Sequence, residues 1–389
     1  MLLGGIYFFL TSCNKDDNNY ENLPTNLYPN VEATFGSSLD LGNLDNYATQ
    51  FIPTYITKDN SILNPVTDKG ATLGRVLFYD KNLSSDNTIS CSNCHVQANA
   101  FSDLAVVSDG VNGTTTRHSM RLINTRFANE SKFFWDERAL SLELQTTMPI
   151  KDHGEMGFSG ANGDPAFGIL ITKLSTIGYY KELFKFVYGS EEITESKIQT
   201  ALAQFVRSIQ SFDSKYDAGR ALTANDNQPF SNFTAQENLG KNLFLAPPVF
   251  NAASSRTGGG VGCAGCHAAP EFDIDPNTGN NGIIGTLNGT GIDITNTRAP
   301  SLRDLVKQDG TTNGPMMHTG NLATVQNTIG HYGTINLAPG NTNLDPRLRP
   351  NGIGQQLNLN ATEVNALIAF IKTLSGSNVY VDAKWSSPF

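Results

Sequence analysis

Cys91-Ser92-Asn93-Cys94-His95 and Cys263-Ala264-Gly265-Cys266-His267 are the two stretches that decide how this chain folds. Both read C-x-x-C-H, the attachment motif of c-type haem. The spacing has a mechanical reason. Two thiols three residues apart on one turn reach both vinyl groups of a porphyrin, and the adjacent imidazole is held beneath the iron as proximal ligand. A structural zinc site would use the two pairs together and need no histidine directly after either. A thioredoxin-like redox pair would not occur twice with histidine in the same place. Two covalent c-type haems are therefore expected, one on Cys91, Cys94 and His95, the other on Cys263, Cys266 and His267.

The rest of the composition agrees with a folded, loop-rich protein around those haems. The chain has 389 residues, 39% hydrophobic and 16% charged, so it can bury a sizeable core in one large or two ordinary domains. Its 36 Gly and 17 Pro point to long loops rather than a coiled coil. A formal charge of −9 argues against nucleic acid, which needs Lys and Arg in excess. An acidic surface suits a basic protein partner.

The fifth cysteine, Cys13, has a separate explanation. Leu2 to Leu10 is an apolar run too short to span a bilayer, and Leu10-Thr11-Ser12-Cys13 resembles the lipobox of bacterial lipoproteins. Residues 1–13 are expected to be a signal peptide ending at a lipidated Cys13, although no Lys or Arg precedes the apolar run. The polar residues from Asn14 would then be a tether, extending to about 45. Attachment to the membrane would be through lipid alone, in the periplasm or at the cell surface.

Further along, the reading is of two halves, 46–225 and 226–389, mainly α with little β. Ile198, Ala201, Leu202, Phe205, Ile209 and Phe212 recur at helical spacing behind Thr194 as N-cap. Thr234-Ala235-Gln236-Glu237 is a capping box leading towards the second cysteine pair. Asn360-Ala361-Thr362-Glu363 opens a helix through Leu374, with Gly376 as its stop. The glycine run 258–262 ends in Cys263 without the Lys-Ser/Thr of a phosphate loop, and no G-x-S-x-G elbow occurs. Asp273 to Gly279 looks like an EF-hand opening, but its glycine is one place late and position twelve is Ile284.

Other motifs fall in order around the two haem sites: Phe133-Phe134-Trp135-Asp136-Glu137-Arg138, Leu142 to Gln145, Glu155-Met156-Gly157, Arg298-Ala299-Pro300-Ser301-Leu302-Arg303 and Met317-His318-Thr319-Gly320. Over about residues 65–375 the chain resembles the dihaem cytochrome c peroxidases, a family that includes the MauG-type enzymes. The resemblance implies two cytochrome c-like haem domains, the N-terminal one peroxidatic and the C-terminal one transferring electrons. It implies that Trp135 lies between the haems and carries electrons, and that Gln145 and Glu155 form the distal pair over the N-terminal haem. A carboxylate there can move a proton from one peroxide oxygen to the other; Gln145 can orient peroxide but cannot titrate. The substrate would be hydrogen peroxide and the donor a small protein such as a cytochrome c.

For the second haem, the resemblance puts the sixth iron ligand fourteen residues after His318, at Tyr332. The MauG-type enzymes have tyrosine here, and a phenolate favours ferric iron where a thioether does the opposite. His331 is a rival ligand, with Met316 and Met317 as outsiders. Residues 96–116 contain no histidine, so the N-terminal haem is expected to be five-coordinate or water-bound without reductive activation, with His118 and His153 the alternatives. The family's interdomain calcium would rest on the carbonyls of Asn313 and Pro315, with His118 at its asparagine position. Imidazole is a poor calcium ligand. Three functions remain in view: a peroxidase drawing on an external donor, a MauG-type oxidase of a protein or peptide side chain, and a non-enzymatic electron carrier.

Overall fold

The computed structural model describes residues 27–129, 132–287 and 290–389. The apolar run, Cys13 and the first part of the tether lie outside the described residues. In chain order the helices are α1 (Pro29–Phe35), α2 (Asp68–Tyr79), α3 (Cys91–Cys94), α4 (Leu142–Thr147), α5 (Phe167–Thr176), α6 (Gly178–Tyr188), α7 (Glu195–Ser208), α8 (Lys215–Arg220), α9 (Ala235–Leu245), α10 (Val325–Gly333) and α11 (Ala361–Lys372). Sheet is confined to short two-stranded ribbons among long loops. This is the mainly helical, loop-rich architecture expected.

Each half is organised around a pair of crossing helices, α2 with α7 and α9 with α11. Both crossings use the same device. A Cβ on Gly74 would lie 2.1 Å from the Ala201 carbonyl oxygen, and one on Gly240 would lie 1.9 Å from that of Ala366. Glycine lets the backbones touch, and aromatic rings fill the space beside them: Phe205 packs on Phe78 in one half, Phe370 on Phe244 in the other. Overpacking such a contact costs about 1–3 kcal/mol, so neither position tolerates a side chain without the helices parting. Repetition of the device, each time ahead of and behind a C-x-x-C-H, gives the two halves a common plan.

The helix starts follow their caps. Thr194 accepts from Lys197 N at 3.3 Å at the head of α7. Glu237 N donates to Thr234 Oγ1 at 3.2 Å and Thr234 N donates back to Glu237, closing the capping box of α9. Asn360 and Glu363 do the same for α11, which ends at Lys372, before the expected Leu374. Ile209 and Phe212 likewise fall beyond the end of α7.

The structure corrects the boundaries of the halves. Residues assigned to the tether up to 45 are core from α1 onward: Val31, Phe35 and Leu39 are buried in the first hydrophobic cluster. The C-terminal tail crosses back, and Val379 and Trp385 join that same cluster. Tyr47 Oη donates to Lys384 O at 2.5 Å, Tyr79 Oη to Trp385 O at 2.6 Å and Arg75 Nε to Ser386 O at 2.6 Å. Tyr216, from the first half by sequence, is buried in the second cluster. Sparse, polar sequence at 14–45 hid three well-spaced apolar residues, and nothing local marks a tail that packs on distant chain.

Candidate active site

The first C-x-x-C-H is the short helix α3. Ser90 and Asn93 cap it, and His95 N closes the turn on Cys91 O at 3.0 Å. The second is a 3₁₀ turn, Cys263–Gly265, entered through Gly262 at φ 73°. Each motif opens onto its own cavity. The first, narrower at about 180 Å³, is lined by Cys91, Cys94, His95, Gln145 and Glu155. The second, about 650 Å³, is lined by Cys263, Cys266, His267, Met316, Met317 and Tyr332.

The residues fit two covalent haems. All four thiols are free of disulfides, and burial pushes Cys91 and Cys263 up to about 12. A dithiol redox pair needs the opposite shift. Because the two pairs line separate cavities, they do not combine into a zinc site, and no group of three or more His, Cys, Asp or Glu among the described residues could hold a metal. His95 Nδ1 lies 3.2 Å from Phe101 O, which orients the ring and leaves its other nitrogen for iron. Burial depresses both proximal imidazoles, His267 to about 4, and keeps them in the neutral form that ligates metal.

Gln145 and Glu155 come together on the first cavity although they sit on different elements. Gln145 is carried by α4, whose Ser141 cap accepts from Leu144 N at 3.2 Å and whose Glu143 is locked to Arg207 of α7. Glu155 is set by a turn around Asp152, whose Oδ1 accepts from Gly154 N at 2.8 Å and from Glu155 N at 3.0 Å. No hydrogen bond reaches the Glu155 carboxylate from the described residues. Burial first, then the Asp152 charge, raises it to about 7, with Arg138 opposing.

Trp135 lies on the wall that the two cavities share, beside Met120, Arg121 and Arg298. Its indole N–H donates to His118 O at 2.7 Å, and its own carbonyl accepts from Thr297 N at 3.0 Å and Arg298 N at 3.1 Å. Both halves thus hold this one residue, the first by its ring and the second by its backbone.

Around the second cavity, Tyr332 is turned inward and His331 is not. His331 Nε2 lies 2.8 Å from Asn281 O, and the ring is absent from the cavity wall. Met316 and Met317 both line the wall, Met316 accepting from Thr328 Oγ1 at 3.0 Å. Asn281 Nδ2 reaches Met317 Sδ at 3.0 Å and Tyr332 Oη at 3.4 Å. Sequence reasoning missed Asn281, which sits in an Asn-Asn-Gly stretch indistinguishable from any turn. His153 is tied to Asp164 at 2.9 Å and does not line the first cavity. His118 does, with Nδ1 3.1 Å from Ala105 O and Nε2 unpartnered. Arg303, quoted above among the recurring motifs, is structural: it pairs with Asp217 through two 2.9 Å bonds and holds Pro270 O, on the loop after His267, at 2.9 Å.

Residues 68–225 match the family model described as di-haem cytochrome c peroxidase. Over most of its length the chain is similar to MauG proteins and to cytochrome c peroxidases. It is an oxidoreductase of the dihaem peroxidase kind, carrying two c-type haems. It is 28% identical to the methylamine utilization protein MauG of Methylophilus methylotrophus over 331 residues, 82% of this chain and 86% of that one. Against the cytochrome c551 peroxidase of Nitrosomonas europaea the identity is 27% over 325 residues, 79% of this chain and 80% of that one. Among solved structures, a MauG-like protein associated with microbial copper homeostasis superposes with a TM-score of 0.67 at 27% identity, covering 87% of this chain and 99% of that one. A dihaem peroxidase of this family needs a distal proton carrier at one haem and a conductor between the two. Glu155 lines the His95 cavity and Trp135 lines both.

Proposed function

We propose that this dihaem peroxidase reduces hydrogen peroxide to two waters with two electrons from a small external donor protein and two protons. The observation that carries the reading is that Glu155 and Gln145 face the His95 cavity while Trp135 lines both cavities. Haem supplies the redox chemistry when bound. The chain's own residues do the rest. Gln145 holds peroxide by its amide. Glu155 takes the proton from one peroxide oxygen and returns it to the other, which leaves as water. Trp135 passes the donor's electrons from the His267 side to the His95 side.

The test is a steady-state assay with peroxide and reduced cytochrome c. Oxidation of two cytochromes per peroxide is the expected result. No donor oxidation, with peroxide-dependent modification of a protein or peptide side chain instead, would replace this reading by the MauG-type one. Tyr332 favours that second reading, because phenolate ligation lowers the potential of the second haem and makes it a poor acceptor from a high-potential donor.

For the sixth ligand of the second haem we propose Tyr332, supported by its place on the cavity wall and by the bond that diverts His331. Y332F is expected to change the low-spin paramagnetic resonance signal of the oxidised second haem, and H331A to leave it as it was. The reverse pattern would assign the ligand to His331.

The same reading includes a calcium ion between the halves on the carbonyls of Asn313 and Pro315. Asn313 Oδ1 and Thr319 Oγ1 are buried without partners, and these are oxygens of the kind calcium takes. With His118 in place of an oxygen ligand, the ion should be held loosely and leave on treatment with a chelator. Metal analysis finding no calcium in protein purified without chelator would remove the ion from the scheme.

A further inference from the structure

Five arginines line the two cavities, and three of them pair with carboxylates. Arg117 pairs with Asp293 at 2.6 Å and Asp136 at 3.3 Å, and Arg138 with Asp136 at 2.8 Å. Arg347 pairs with Asp345 and Asp275. Arg298 bonds Lys132 O and stacks on Phe133 with 5.0 Å to the ring centroid. Arg121 differs. Its one side-chain bond among the described residues is a long one, Nη2 to Ser301 O at 3.3 Å, and its Nε is buried with no partner. No carboxylate among the described residues lies within ion-pair distance.

Its position is as unusual as its lack of partners. Arg121 lines the first cavity and the second, on the wall they share with Trp135. Its charge reaches His118 and His267, where burial first and Arg121 after it lower the imidazoles. Burial drives its own guanidinium down to about 10 against only distant help from Asp304 and Tyr380. A guanidinium taken out of water without an anion costs several kcal/mol, and natural proteins seldom leave one so. The missing anion has to come from what fills the cavities. Haem carries two carboxylates of its own, its propionates, and guanidinium matches carboxylate geometry in a forked pair.

We infer that Arg121 is the cation held between the two haems, pairing with propionates from both and raising both reduction potentials. The inference rests on the dihaem reading above. A positive charge near iron disfavours the extra positive charge of the ferric state, and the effect is large in a buried site. One residue would thereby tune both ends of the electron path through Trp135, and would draw the two haem edges to a common wall.

Spectroelectrochemical titration of the haem-loaded protein decides it. R121M is expected to shift both midpoint potentials downward, and R121K to keep both near wild type because the charge remains. Neither potential moving, only one moving, or lysine behaving as methionine would each overturn the inference. Should R121M fail to accumulate with two haems, resonance Raman spectra of wild type and R121K carry the test. The propionate bending modes of both haems should differ between them, since an ammonium cannot reproduce the forked contact; unchanged modes at either haem would overturn it. A pyridine haemochrome count separates the two levels of argument. Wild-type protein without two haems would sink the dihaem reading, whereas two haems with unmoved potentials would sink this inference alone.

Discussion

E155Q is expected to lower kcat/KM for hydrogen peroxide by roughly 10²- to 10⁴-fold, the usual worth of a positioned proton carrier. Both haems should stay attached. The substitution keeps the shape of the side chain and removes its ability to titrate. Nothing in the surroundings holds the carboxylate in place by hydrogen bonding, so the amide loses no partner among the described residues. Wild type should also show a pH signature that the variant lacks. Burial and Asp152 raise Glu155 to about 7. The base form is needed to accept the peroxide proton, so kcat/KM should climb as pH rises towards and past neutrality, then level. Stability runs the other way. A carboxyl whose folded pKa lies above its unfolded value binds its proton more tightly in the native state, so its contribution is lost as pH rises from about 4.5 to about 7. E155Q should flatten both slopes. A variant with wild-type turnover and an unchanged pH profile would exclude Glu155 as the proton carrier.

W135F should slow steady-state turnover with a protein donor by roughly tenfold or more, equivalent to about 1.4 kcal/mol or above on the limiting barrier. The first reaction with peroxide, followed in a single turnover before donor electrons are required, should remain near wild type. The split between these two measurements is what distinguishes a conductor from a packing residue. Phenylalanine fills most of the indole's volume, but it is harder to oxidise and cannot donate to His118 O. The backbone bonds to Thr297 and Arg298 come from the Trp135 carbonyl and survive the change. If both phases slow together, the ring is supporting the first cavity rather than carrying charge. If neither slows, electrons pass by another route, and Arg121 and Met120 on the same shared wall are the nearest residues to consider.

Much of this protein is written locally. Covalent haem attachment depends on two thiols and an imidazole within five residues, and such a motif is legible wherever it occurs. Helix starts at Thr194, Thr234 and Asn360 are equally local, because a cap involves a side chain and a backbone N–H three residues on. The proposed roles of Gln145, Glu155 and Trp135 follow only from resemblance of motif order, since their chemistry needs a turn at Asp152, a helix at Leu142 and a loop at Phe133 to converge.

Other features had no local sign. That the tail from Asn378 completes the first core, that Gly74 and Gly240 mark the helix crossings, and that His331 is diverted by Asn281 all depend on chain more than forty residues away. Arg121 shows the difference most clearly. In the sequence it is one of several arginines and nothing distinguishes it from Arg117. Only the fold, by surrounding one with aspartates and leaving the other buried between two cavities, decides which charge is neutralised by protein and which awaits a ligand. Local pattern fixes what a few adjacent atoms can do, whereas burial and charge balance are sums over everything that packs nearby.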